Sequence, residues 1–146
     1  MFEFEPEEDL TALYANTSHG NLGPLFHRLG ELDPDLPLGA APFDAAVYIE
    51  AGKAWWVRNR PVVRSYACCN ATLQRTAAKA GSNLLNAAFL LLAHHFGSPL
   101  ATYAAVLLVK EAAGDTMDEA VLRAFRQWCG EDWRPQESDQ TATQSE

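Results

Sequence analysis

The chain has 146 residues, 48% hydrophobic and 21% charged, with a formal net charge of −8 and a pI near 4.9. That length suits one domain with its own core, and that composition excludes a disordered chain. The acidity argues against a nucleic-acid backbone or an anionic membrane as partner and suits a neutral or basic one.

Residues 1–9, MFEFEPEED, form an acidic arm with five carboxylates, which reads as a solvated end. A single domain is expected over residues 10–135, followed by a disordered tail at 136–146, QESDQTATQSE, whose apolar content is one Ala. Residues 10–32 read as helix in pieces. Leu22, Leu25, Phe26 and Leu29 make an i, i+3, i+4, i+7 stripe, with Pro24 near a helix start and Gly30 as a stop. LDPDLPLGAAP then reads as an extended connector whose Leu32, Leu36 and Leu38 dock on the core.

Residues 46–68 change character. AVYIE, AWWVRN and VVRSYAC are short runs of β-branched and aromatic residues, separated at Ala51-Gly52-Lys53 and Arg60-Pro61. This predicts a three-stranded antiparallel meander with bulky apolar groups on both faces. Asn70, Leu73 and Ala77 fit a short helix stopped at Gly81.

GSNLLNAAFLLLAHHFG, from Gly81 to Gly97, predicts a long central helix, capped by Ser82 and closed by Gly97. Leu84, Leu85, Ala88, Phe89, Leu92 and Phe96 form one face, and Ala87, Leu90 and Leu91 make the rest apolar as well. LATYAAVLLVKEAA fits a helix or a pair of short strands equally well. Thr116-Met-Asp-Glu119 is a capping box opening an amphipathic helix with Met117, Ala120, Val121, Ala124, Phe125 and Trp128 inward. The fold class expected is therefore α+β: an N-terminal helix, the meander, the central apolar helix, the ambiguous segment and a C-terminal amphipathic helix.

The cysteines are Cys68, Cys69 and Cys129. Two are vicinal, the number is odd, and no signal-peptide pattern precedes them, so they read as reduced thiols in a cytoplasmic protein, Cys68 and Cys129 as small core hydrophobes. No zinc spacing occurs, and neither a metal nor another cofactor is expected. His94 and His95 point about 100° apart on a helix, too divergent for joint ligation, and suit the negative end of the helix dipole. Trp55 and Trp56 read as core and sheet surface.

This order of pieces resembles the class I chaperones of bacterial type III secretion, the Tir-chaperone-like family. NLGPLFHRLGELDPDLPL stands for the first helix and its Pro/Leu tail, and SNLLNAAFLLLAHHFG for the central helix. VLLVKEAAGDTMDEAVLRAFRQWCGEDWR stands for the last strand, linker and final helix, the last ending in Trp-Arg. The resemblance implies an ATP-independent, non-catalytic homodimer. It would keep the N-terminal segment of a secreted effector, a virulence protein, soluble and export-competent. Client contacts are expected at Leu25, Phe26 and Leu29 and, on the meander, at Trp55, Val57 and Val63. The dimer seam is expected at Leu85, Phe89 and Leu92. An extended client would add strands to a sheet edge and fill apolar pockets.

Two rival readings use other residues. Cys69, five residues, then Arg75-Thr76 resembles the phosphate loop of cysteine-dependent phosphatases, with VVRSYAC as its strand and Asp44 as general acid. Cys68 stands where that family has His, Thr72 where it has Gly, and Gly81 cuts the helix that should follow, so Arg75 reads more simply as a solvent-facing residue. An acidic inhibitor or immunity-type protein would instead use the −8 charge to cover a basic enzyme site.

Overall fold

The computed structural model describes residues 5–18, 20–33, 45–69, 83–114 and 121–132. They form helices α1 (Leu10–Ala15), α2 (Gly23–Leu32), α3 (Ala45–Cys69), α4 (Asn83–Phe96), α5 (Ser98–Ala113) and α6 (Val121–Cys129), closed by a 3-10 turn at Gly130–Asp132. No strand is found among them; an isolated bridge pairs Ser18 with Asn21. The expected α+β fold is thereby overturned. The fold is helical, and the predicted meander is a single helix of 25 residues.

The reason lies in two residues that read as breaks. Gly52 sits inside α3, buried, where the helix crosses α2. A Cβ on Gly52 would overlap the Phe26 carbonyl, and one on Gly30 would overlap the Tyr48 carbonyl. The two glycines let the backbones touch, so neither Gly30 stops α2 nor Gly52 turns the chain. Pro61 also stays inside α3. Its missing N–H leaves the Val57 carbonyl without a helical partner, but Val57 and Pro61 are both on the solvent side, where water reaches that oxygen. The buried positions Gly52, Trp55, Trp56, Val63 and Ala67 follow the helical period.

The core is organised around α5 rather than α4. Every residue from Ala101 to Lys110 is buried, and α1, α2, α4 and α6 all pack on this helix. Small residues such as Ala101, Ala104 and Ala105 allow that many neighbours to approach. Ser98–Ala113 is thus one helix, not a strand pair. Gly97, at φ 87°, ends α4 and opens α5. Lys110 keeps its ammonium 3.8 Å from the Tyr14 ring centre, and the Tyr14 hydroxyl donates to the Gly114 carbonyl at 2.6 Å.

The arm is tied to this centre. The Glu7 amide donates to Thr102 Oγ1 at 2.9 Å, and Tyr103 donates to Glu8 Oε2 at 2.5 Å. Arg28 Nε donates to the Tyr103 oxygen at 3.1 Å, joining α2 to the same point. Burial pushes the Tyr103 phenol above its ordinary value of 10.0, the bond to Glu8 pushes the same way, and Arg28 opposes both. The folded state therefore favours the protonated phenol. This contribution to stability is complete below the unfolded value and is lost as pH rises through the folded one. Tyr103→Phe will flatten the loss of stability above pH 10, measured by urea unfolding across the alkaline range.

Disulfide pairing corrects the expectation of reduced thiols. Cys68 and Cys129 are bonded to each other, with their Cα atoms 5.7 Å apart, and both are fully buried. The bond fastens the end of α3 to the end of α6. Cys69 is free and exposed.

Candidate protein-docking face on α3

α3 packs most extensively on α2 and meets α4, α6 and the 3-10 turn at fewer points. One side of it faces solvent for about 37 Å. Val47, Ala54, Val57, Pro61 and Val62 lie on that side, with Tyr66 on its flank. The exposed large hydrophobics among the described residues are Val47 at 39%, Val57 at 71%, Val62 at 36% and Tyr66 at 39%, and all four belong to α3. Single exposed apolar side chains are ordinary; here they gather on one helix, fanned over about half of its circumference rather than along one line.

The inner side of α3 explains why the helix is rigidly held. Glu111 on α5 accepts from Trp56 Nε1 at 2.9 Å, from Trp128 Nε1 at 2.8 Å and from Arg60 Nε. One carboxylate thereby ties α3, α5 and α6 together, and its charge strengthens each bond. Arg60 and Arg64 both lie over the Trp128 ring, at 5.7 and 5.5 Å from its centre. Arg64 Nη2 also donates to the carbonyls of Trp128 and Cys129, each at 2.8 Å, satisfying the last turn of α6. Arg58 pairs with the buried Asp33 at 3.1 Å. Trp55 packs on Phe96 at 5.1 Å, and Tyr66 Oη lies 3.1 Å from His95 Nδ1, so the end of α4 braces the middle of α3.

The expected client contacts are scattered between core and surface. Leu25, Leu29 and Val63 are fully buried, Trp55 is buried, Phe26 is half-buried, and Val57 alone stands on the surface. The expected dimer seam of Leu85, Phe89 and Leu92 lies inside the chain's own core, on the side of α4 that meets α5. Sequence reading missed Val47, Val62 and Tyr66 as surface residues, because strand alternation assigned faces two residues apart. Glu111 carries no local signal; its role appears only when α3 and α6 meet α5.

Cys69 ends α3, whereas a phosphate loop needs the thiol after a strand and the anion at a helix N-terminus. Asp44, Thr72, Arg75 and Gly81, the connector from residue 34, the predicted helix at 70–80, the capping box at 116–119 and the tail at 136–146 lie outside the described residues. Among the described residues, no cluster of three or more His, Cys, Asp or Glu side chains could hold a metal ion, and no helix is long and apolar enough to cross a membrane. No family model, curated protein or solved structure matches this chain.

Proposed function

We propose that this chain is a non-catalytic binding protein that holds an amphipathic segment of another protein against the outer side of α3. The supporting observation is that Val47, Val57, Val62 and Tyr66, the large hydrophobics exposed among the described residues, share that one helix. This keeps the client-holding role implied by the resemblance to secretion chaperones but changes its mode. A sheet edge for strand addition is missing from the described residues, so docking is on the outer side of a helix. The cytoplasmic placement rested on reduced thiols, and the Cys68–Cys129 bond removes that ground.

The acidic-inhibitor reading needs carboxylates gathered toward a partner. Several are instead engaged internally: Asp33 by Arg58, Glu111 by two indoles and Arg60, and Glu8 by Tyr103. That favours the exposed apolar side chains of α3 as the working surface.

The product of the neighbouring reading frame is the first client to test. Co-expressed with the wild-type chain it should co-purify. With Val57→Glu its recovery should fall by about tenfold, because a carboxylate replaces an anchor at the middle of α3. Circular dichroism should show an unchanged fold, since Val57 is 71% exposed. Equal recovery with both proteins would remove α3 as the docking face.

A further inference from the structure

We propose that Cys69 is an internal exchange thiol that makes the buried Cys68–Cys129 bond reducible, so that the hold of α6 on α3 follows the thiol–disulfide poise of the surroundings. This goes beyond the docking role of α3 and does not depend on it. All three cysteines of the chain gather at one place, where the end of α3 meets the end of α6. Cys68 and Cys129 are fully buried, with their Cα atoms 5.7 Å apart. Cys69, the next residue of α3, is free and exposed. Exchange requires a thiolate to reach a disulfide sulfur, and burial keeps a small thiol in solvent away from both sulfurs of this bond. Cys69 is the one thiol tethered beside it, with its Cα about 3.8 Å from that of Cys68.

The exchange is balanced without an added oxidant or reductant. The Cys69 thiolate attacks Cys129 Sγ, the bond between Cys129 Sγ and Cys68 Sγ breaks, and a Cys69–Cys129 bond forms in its place. The electron pair of the broken bond leaves on Cys68 Sγ, which takes up the proton that Cys69 gave up. Attack on Cys68 instead would join neighbouring residues, whose Cα separation of about 3.8 Å is below the usual disulfide range, so Cys129 is the productive target. The new bond has one sulfur on an exposed residue, within reach of a small thiol such as glutathione. A first glutathione thiolate attacks Cys69 Sγ, forms a mixed disulfide there and releases the Cys129 thiolate. A second attacks the glutathione sulfur of that mixed disulfide, leaves as oxidised glutathione and returns Cys69 as the thiolate. Reduction of the protein bond is thus matched by oxidation of two glutathione molecules to one disulfide.

The surroundings suit this path. Both reacting residues lie at helix ends: Cys69 is the last residue of α3, and Cys129 is the last of α6, followed by Gly130 at φ 55°. A shift of one helix end against the other disturbs few backbone hydrogen bonds there, because the last carbonyls of a helix have no partner within it. Arg64, one turn before Cys68, donates from Nη2 to the Cys129 carbonyl at 2.8 Å, which sets a positive charge beside the cysteine pair and favours a released thiolate. Burial of Cys68 and Cys129 keeps the native pairing dominant, and an external thiol draws off the minor, exchanged one. Once the bond is open, α6 is held by the burial of Phe125, the Trp128 bond to Glu111 and the Arg64 cap.

The test is the rate at which the native, full-length protein loses this bond in excess reduced glutathione, followed by alkylating samples over time and counting modified cysteines by mass spectrometry. Cys69→Ser should slow the loss by at least about tenfold, because a tethered thiol acts at a far higher effective concentration than an added one. Its urea midpoint should match that of the wild type, since Cys69 is exposed. Wild-type protein alkylated at Cys69 beforehand should react as slowly as the variant. Cys68→Ala, incubated with oxidised glutathione, should show a Cys69–Cys129 bond by peptide mapping. Equal rates for the wild type and Cys69→Ser would mean that the bond is reached by opening of α6 itself, and would overturn the proposal. So would Cys68→Ala protein of wild-type helical content in which Cys69 and Cys129 stay unjoined. If Cys68→Ala does not fold, the comparison of rates decides alone.

Discussion

Gly52→Ala will destabilise this protein by about 3 kcal/mol, although alanine is the better helix former. The intrinsic gain from replacing a mid-helix glycine is about 1 kcal/mol. Against it stands a methyl group that has no room. It would overlap the carbonyl of Phe26, and its distance to the Phe26 Cα would be 2.8 Å. These are backbone atoms in the middle of α2, so no rotamer change relieves the clash and the helices must separate. Separation loosens the packing of Leu25 and Leu29, both fully buried, against the core. The contact also has an attractive side. Without Cβ atoms, the glycine Cα–H groups point at facing carbonyls, a contact worth about 0.5–1 kcal/mol. Gly30→Ala meets the Tyr48 carbonyl at the same crossing and should cost a similar amount. The double variant should cost clearly less than the two singles together, because helices already parted by one methyl have room for the second. Gly20→Ala is the control: its new Cβ would meet nothing nearer than Ser18 Oγ at 3.6 Å, and its effect should stay within about 0.5 kcal/mol. Urea midpoints of the four variants give these values. A neutral Gly52→Ala would mean that α2 and α3 do not cross at these two glycines.

The same crossing shows where sequence reasoning reached its limit. Apolar periodicity located the stripe Leu22, Leu25, Phe26 and Leu29, now on or just before α2, and the apolar stretch that is α4. It failed at residues 46–68 because β-branched and aromatic residues, a glycine and a proline all favour strands and turns locally. Only the partner helix makes Gly52 a contact point, and only the exposure of Pro61 makes a helix-interior proline tolerable. Both facts are tertiary. Strand alternation over residues 46–68 did not separate the exposed Val47, Val57, Val62 and Tyr66 from the buried Trp55, Trp56 and Val63. The resemblance placed a dimer seam at Leu85, Phe89 and Leu92 on α4. α5, itself apolar all round, covers them within the chain. Disulfide pairing was hidden for a similar reason: cysteines 61 positions apart become neighbours only when α6 returns to the end of α3.

Removing that disulfide will have the largest single effect. In the chain-entropy account, closing a loop of this length restricts the unfolded ensemble by an amount worth about 4 kcal/mol. That is a large share of the roughly 5–15 kcal/mol by which a domain is stable. Cys68→Ala/Cys129→Ala should therefore show a much lower urea midpoint than the wild type, and a dithiol reductant should bring the wild type close to the variant while changing the variant itself little. Thiol titration of the unfolded chain should count one free thiol, Cys69, before reduction and three after it. The damage should not be uniform. α6 has nine residues, too few to hold helical structure alone, and its other ties are the burial of Phe125, the Trp128 bond to Glu111 and the Arg64 cap. Hydrogen exchange should thus show α6 opening first, with α5 retaining protection because its contacts with α4 and α2 are untouched. A midpoint unchanged by reduction, with three thiols counted at the outset, would show that Cys68 and Cys129 do not staple α3 to α6.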